Sequence, residues 1–371
     1  MTKDIAKPAG VARGAGARLL LAAVALSGLG LSTIGLTRPA LAAEASPISA
    51  DRCAANKAAG PVIFLTSFAY AASAGILDVL AAKKQGFFDA LCLDVTIQPG
   101  SNNTQLVSAG TAQLAGVGGA SDVLVAIDNG ANVAGIATYG NVGAIELITM
   151  ADSGINQLKD FAGKTVGYKG AIPPQFSALF QNNGVDPTSI NWVSVGYDPM
   201  ILPGGQVQGL SAYKSNEPRA LEAQGLKIKE WDPDTFGIHS TFNTQIVNKD
   251  WAKKNPTAVE DFLRASFHGY GWMAQSDANL EAALAYAASL SDAGYDIPKS
   301  KARFKIETDL IAKSQPAGTG LGWQDAGQWQ SEADALYRFK VVKAQPDIAA
   351  AQDNTYLKAI YNGTTLVWPA P

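Results

Sequence analysis

Short apolar runs alternate with helix-type stretches through most of this chain, and that alternation limits its fold more than any other feature. Runs of strand type occupy 61–66, 93–98, 113–117, 131–138 and 144–150. Between them, 69–84, 104–108 and 121–129 read as helices. The first is rich in Ala and Leu and ends on Lys83 and Lys84 before Gln85-Gly86, a helix-stop pattern. Ser121 is placed to cap the third. This β-α-β-α-β order predicts an α/β unit around a mostly parallel sheet. A second unit starts near Asp152, with a helical turn at 158–161, strands at 165–168 and 190–195, a helix at 174–183 and a strand-and-helix unit within 206–220. Beyond 241–248 the pattern changes to helices at 256–275, 279–289 and 326–338, with almost no strand. Two α/β lobes, with helices packed back on one of them, make a bilobal protein. Its ligand is expected outside the carboxyl ends of the strands, in the cleft between lobes.

Composition narrows the function. The chain has 371 residues, 47% hydrophobic and 16% charged, enough to bury a large core. Two His and two Cys are too few for a four-ligand zinc cluster built from those residues, so no metal is expected. A net charge of −3 leaves no basic footprint for nucleic acid.

The first forty residues differ from the rest. Lys3, Lys7, Arg13 and Arg18 face a single Asp4, an apolar run follows over 19–36, and Ala40-Leu41-Ala42 offers small residues to a signal peptidase. That is the order of a secretory signal. An apolar run of this length also just suffices to span a bilayer, so a membrane anchor is the competing reading. Gly28, Gly30 and Gly35, with Ser27 and Ser32, weaken such a helix. Cleavage near Ala42 leaves 24 Lys and Arg against 31 Asp and Glu, a charge of −7. The expected location is therefore the periplasm. In that oxidising compartment Cys53 and Cys92 favour a disulfide, worth about 3–4 kcal/mol; two free buried thiols are the alternative.

Five stretches carry a family resemblance. Ala81-Ala82-Lys83-Lys84-Gln85-Gly86-Phe87-Phe88, followed by Leu93-Asp94-Val95, is the first, and Leu106-Val107-Ser108-Ala109-Gly110-Thr111-Ala112-Gln113 the second. The third runs from Gly154-Ile155 through Leu158-Lys159-Asp160-Phe161 to Gly163-Lys164-Thr165-Val166-Gly167. Ser215-Asn216-Glu217-Pro218 and the segment from Gly322-Trp323 to Trp329-Gln330 complete the set. In their order and spacing they resemble the solute-binding proteins of ABC importers, in the branch of thiamine-pyrimidine-precursor, alkanesulfonate, taurine and nitrate binders. The resemblance implies a two-lobe periplasmic-binding fold. Its first lobe would hold 58–147 plus 250–371 and its second 148–249, with crossovers at 144–150 and 241–248. It also implies capture of a small solute and delivery to an inner-membrane permease, whose ATPase is a separate subunit. A monomer without cofactor is expected. The solute class expected is a small nitrogen heterocycle such as a thiamine pyrimidine precursor. Organosulfonates, taurine or nitrate, and a role as a periplasmic sensor subunit, stay open as alternatives.

Loops after strands supply the candidate ligand residues. Ser67 and backbone N–H groups beside it suit a polar group, while Phe68 and Tyr70 suit stacking on a flat ring; both aromatics are otherwise core. Ser121 follows the Gly118-Gly119 turn, which brings backbone close to a ligand or simply caps a helix. Asn102 lies in a third loop and is otherwise a turn former. From the second unit come Tyr168, Tyr213, Asn216 and Glu217. A carboxylate accepts from ring amines and an Asn both donates and accepts, chemistry that suits an aminopyrimidine better than an anion. Glu217-Pro218 otherwise only opens a helix. Arg219 is expected in a helix-surface ion pair.

No catalytic residue is assigned. A Gly-x-Ser-x-Gly elbow is absent. Gly163-Lys164-Thr165 has the tail of a phosphate loop, but Leu158 stands where its first Gly is required. Pyrimidine-synthesising relatives of the resembled family use a Cys-rich motif and a sacrificial His. This chain lacks the Cys cluster, which favours binding over synthesis.

Overall fold

The computed structural model describes residues 48–170 and 172–371, so the expected export segment 1–42 lies outside the described residues. The chain begins with Ala50–Ala58 (α1), Val62–Thr66 (β1), Leu77–Lys84 (α2), Phe87–Ala90 (α3), Val95–Pro99 (β2), Asn103–Ser108 (α4), Leu114–Val117 (β3), Ala120–Asp128 (α5) and Val133–Gly140 (β4). It continues with Ile145–Met150 (β5), Thr165–Tyr168 (β6), Pro174–Asn182 (α6), Asn191–Ser194 (β7), Gly209–Tyr213 (β8), Glu217–Glu222 (α7) and Ile228–Trp231 (β9). It returns through Phe242–Asn248 (β10) to Lys249–Lys254 (α8), Pro256–Ala274 (α9), Asp277–Leu290 (α10), Ile297–Ser314 (α11) and Ala326–Arg338 (α12).

Two five-stranded sheets result, in the orders β2-β1-β3-β10-β4 and β7-β6-β8-β5-β9. In the first, β1 runs parallel to β2 and β3, whereas β10 is antiparallel to β3 and β4. In the second, β6 runs parallel to β7 and β8, whereas β5 is antiparallel to β8 and β9. The expected mostly parallel sheets are thus mixed. The reason is the route of the chain. It leaves each sheet at the carboxyl end of a strand and enters the other from that same side, so the entering strand must run the opposite way. The passages between sheets fall at 141–144 and 232–241, ahead of β5 and β10 rather than within them. Residues 145–150 accordingly pair in the second sheet and 242–248 in the first, shifting the expected boundaries at 148 and 249.

The first sheet is covered on both faces, which is why β3 and β4 are buried throughout. On one face Val62 and Phe64 meet Phe262 and Leu263 of α9. On the other, Ala115 and Val117 meet Val123 of α5 and Trp329 and Leu336 of α12. Each such side chain, fully buried, contributes about 1.5–3 kcal/mol. The second sheet packs Leu147 and Val166 against Phe176 and Phe180 of α6, and Ile148 and Leu210 against Leu221 of α7.

Five of these elements escape the sequence pattern: α1, α3, β9, α8 and α11. The helix expected over 69–84 begins only at Leu77. Ala69 and Gly75 adopt left-handed φ of 42° and 81°, which an α-helix does not accommodate. Cys53 of α1 is disulfide-bonded to Cys92 beyond α3. The same helix is held to α9 by Arg52, which reaches Asp261 at 2.8 Å and Glu260 at 2.7 Å.

Candidate functional site

A cavity of 480 Å³ lies between the two sheets, within the size range of small-molecule sites. It stands where parallel strands end and release their loops. Ser67 and Phe68 follow β1, Gly118 to Asp122 follow β3, Lys169 follows β6, and Asn216 and Glu217 follow β8. Gly119 is required there, because a Cβ would stand 2.7 Å from the Thr241 carbonyl oxygen of the second passage. A wider opening of 820 Å³ shares Ser67, Gly118 and Ser121 with it.

The candidate residues separate into three groups. Ser67, Phe68, Ser121, Tyr213, Asn216 and Glu217 line the cavity. Asn102 faces the wider opening and precedes α4 with a left-handed φ of 54°. Tyr70 and Tyr168 do not reach the cavity. Tyr70 packs with the apolar cluster of Ile76, Leu80 and Phe304. Tyr168 ends β6 and meets Trp192 at 6.4 Å between ring centroids. The next residue, Lys169, lines the cavity instead.

Glu217 is buried, and both its oxygens are engaged within the chain. Oε1 accepts from Lys169 Nζ, and Oε2 accepts the Tyr213 N–H at 2.8 Å. It also opens α7 with Pro218 behind it. Ser121 does not cap its helix; Gly119 takes the cap position. The Ser121 hydroxyl and N–H donate to Glu332 of α12, whose other oxygen takes the Thr241 N–H and hydroxyl, each at 2.6 Å. Burial pushes the Glu332 carboxyl up to about 7, against the lowering effect of those four donors. The Tyr213 phenol is raised by burial and by Glu307.

Arg219 pairs at the surface with Glu222 and Glu230. The cavity wall instead receives Lys169 and, from α11, Arg303. Tyr197, beyond β7, is a further lining residue that sequence reasoning missed. Arg303 lies in a helix whose buried positions are only Phe304, Glu307 and Ile311. The signal available for it was the apolar pair seven residues apart, after Asp296 as cap and an early Pro298.

The NMT1/THI5 like family matches residues 74–279, more than half of the chain. The chain belongs to that family. Among similar proteins is the 4-amino-5-hydroxymethyl-2-methylpyrimidine phosphate synthase of Legionella pneumophila, 32% identical over 293 residues that cover 75% of this chain and 87% of the relative. Another is the formylaminopyrimidine-binding protein of Halalkalibacterium halodurans, 24% identical over 258 residues, covering 67% and 77% respectively. The periplasmic aliphatic sulphonate binding protein SsuA of Escherichia coli has a similar structure, with a TM-score of 0.59 at 16% identity over 78% of this chain and 96% of that one. This NMT1/THI5 like chain thus has the α/β fold of periplasmic binding proteins. Among the described residues no helix is long and apolar enough to cross a membrane.

Proposed function

We propose that this chain is the exported solute receptor of an ABC importer, and that its solute is a small nitrogen heterocycle of the aminopyrimidine kind. One observation carries the reading. Phe68 from the β1 loop and Tyr197 from beyond β7 face each other across the cavity mouth, 57% and 69% exposed, with ring centroids 6.4 Å apart. Their planes are tilted by 51°, so a flat ring stacked on both, at about 3.5–4 Å on each side, needs a small parting of the two sheets and a rotation of one ring. On the same wall, the Gln175 amide oxygen is buried with no partner among the described residues, and the Asn216 amide lines the cavity as well. Amides of this kind satisfy ring amines and ring nitrogens. The names of the two sequence relatives agree with this solute class.

The two sheets act as lobes hinged at 141–144 and 232–241, closing on the solute for delivery to a permease with its own ATPase. Export through the 1–42 segment, cleaved near Ala42, places the receptor in the periplasm, where a Cys53–Cys92 disulfide is stable. Binding rather than turnover belongs to this reading, in keeping with the name of the formylaminopyrimidine-binding relative.

A second reading rests on Arg303 and Lys169. Cations in a cleft suit an organosulfonate, the class named for the structurally similar SsuA protein. Each cation already has a carboxylate partner, Glu307 and Glu217 respectively, which weakens that reading. Calorimetry with aminopyrimidines and with short alkanesulfonates decides between them. Micromolar or tighter binding of an aminopyrimidine, with none of the sulfonates, is the expected result; the reverse sinks the pyrimidine assignment. Phe68→Ala and Tyr197→Ala should each weaken binding about threefold to tenfold.

A further inference from the structure

Arg303 is a half-buried arginine on the cavity wall. Its side chain is 21% exposed, its guanidinium stands 5.5 Å from the Tyr213 ring centroid, and its Nε donates to Glu307 Oε1 at 3.2 Å. Its two terminal amino groups meet no acceptor among the described residues, although the side chain lines the cavity. Arg264, sealed in the core of the first sheet's helices, leaves only Nη2 without an acceptor among the described residues. Its Nη1 donates to the Val367 carbonyl at 2.6 Å and its Nε to Asp261 at 3.1 Å. An arginine held by one carboxylate through Nε presents the open end of its fork, the end that recognises an oxygen acceptor.

Glu307 fixes that fork. The carboxylate is fully buried on α11 and accepts from Ser73 Oγ at 2.5 Å, the Ala74 N–H at 3.2 Å and Ser215 Oγ at 3.2 Å. Ser73 belongs to the first-sheet side and Ser215 follows β8 of the second. The group that orients Arg303 is therefore itself gripped from both sides of the cleft.

We propose that Arg303 is a specificity-determining residue that reads an oxygen acceptor on a substituent of the bound heterocycle, with Glu307 as its positioning residue. The proposal rests on the aminopyrimidine reading above and deepens it. Charge selects the kind of acceptor. Lys169 is neutralised by Glu217 and Arg303 by Glu307, while Asp122 adds a further carboxylate to the wall. A full anion gains little there, so the acceptor is a neutral carbonyl such as an amide or formamide oxygen. It forms a charge-assisted hydrogen bond without bringing in a net charge.

The test is calorimetry on the full exported chain with three matched probes: an aminopyrimidine with a formamidomethyl arm, the same ring with a methyl in its place, and the same ring with a carboxylate arm. The wild-type protein should bind the carbonyl probe at least about tenfold more tightly than the methyl probe. The carboxylate probe should fall below the carbonyl one; a carboxylate that binds most tightly overturns the neutral-acceptor assignment. In Arg303→Gln the carbonyl preference should collapse, the carbonyl probe losing about tenfold more affinity than the methyl probe; a preference kept at its wild-type size overturns the role of Arg303. Glu307→Gln should shrink the preference in the same direction. Equal binding of carbonyl and methyl probes by the wild-type protein overturns the role of Arg303 without touching the aminopyrimidine reading, and needs no variant to fold. Failure of all three probes to bind defeats that reading, and the inference with it.

Discussion

Glu217 lines the cavity, yet its two oxygens serve the chain: one holds Lys169 and the other the Tyr213 N–H. Removing the carboxylate leaves a lysine, 14% exposed, without its counter-charge and a backbone donor without its acceptor. Glu217→Ala is therefore expected to destabilise the ligand-free protein, on the order of 3 kcal/mol, since breaking a buried pair strands the other charge. Glu217→Gln keeps an acceptor for Tyr213 and should lose less. Urea unfolding of the ligand-free variants reads this directly. Unchanged stability in Glu217→Ala would mean that the carboxylate serves the solute alone.

At the scale of elements, the N-terminal helix illustrates how remote partners define a segment. Helix α1 carries only one fully buried residue, Asn56, whose amide donates to the Leu91 carbonyl at 2.8 Å and to Asp261 at 2.6 Å. Its place depends on these bonds, on Arg52 and on the Cys53–Cys92 bridge, with a sequence separation of 39. Replacing both cysteines by serine should cost about 2–5 kcal/mol, seen as a lower urea midpoint, with dithiothreitol lowering the wild-type midpoint similarly. No change in either experiment would place the stability of this corner in the Arg52 ion pairs instead. The same helix shows what the sequence made legible. Strands β1, β3 and β4 announce themselves because helices cover both their faces and their apolar runs are unbroken. Helix α1 and strand β9 bury too few side chains to leave a period, and α11 hides three buried positions among charges. The site divides in the same way. Phe68 was legible as the residue leaving a strand. Tyr197 and Arg303 were not, because only the tertiary fold brings a loop beyond β7 and a late helix to the same cavity.

Across the described residues, carboxyls raised by burial set the response to pH, Asp122 and Asp234 among them. Asp78, Glu146 and Glu332 are each pushed up to about 7, in every case chiefly by burial. Two lie with the first sheet and its helices; Glu146 lies on β5 of the second. The folded protein keeps these protons at pH values where the unfolded chain, with ordinary carboxyl pKa values of 3.8 to 4.5, has released them. Their stabilisation is complete below about pH 4 and is lost as pH rises through about 7. Asp160, Asp186 and Asp277 act in the other direction, but their lowered pKa values confine the effect to more acidic solution. His268, lowered by burial, costs stability below its ordinary value of 6.5 and so opposes the trend within the same window. A substitution isolates the carboxyl contribution. Burial raises the pKa of Glu146, whose Oε1 has no hydrogen-bond partner among the described residues; Lys214 and Arg219 partly offset the shift, while Asp232 and Glu222 add to it. Glu146→Gln replaces it with a neutral side chain of the same shape that leaves His268 untouched. Relative to wild type, the variant should melt higher at pH 8 and nearly level at pH 5, with about 2–4 °C for each kcal/mol regained. A difference that instead stays constant from pH 5 to pH 8 would mean that Glu146 titrates alike in the folded and unfolded chain.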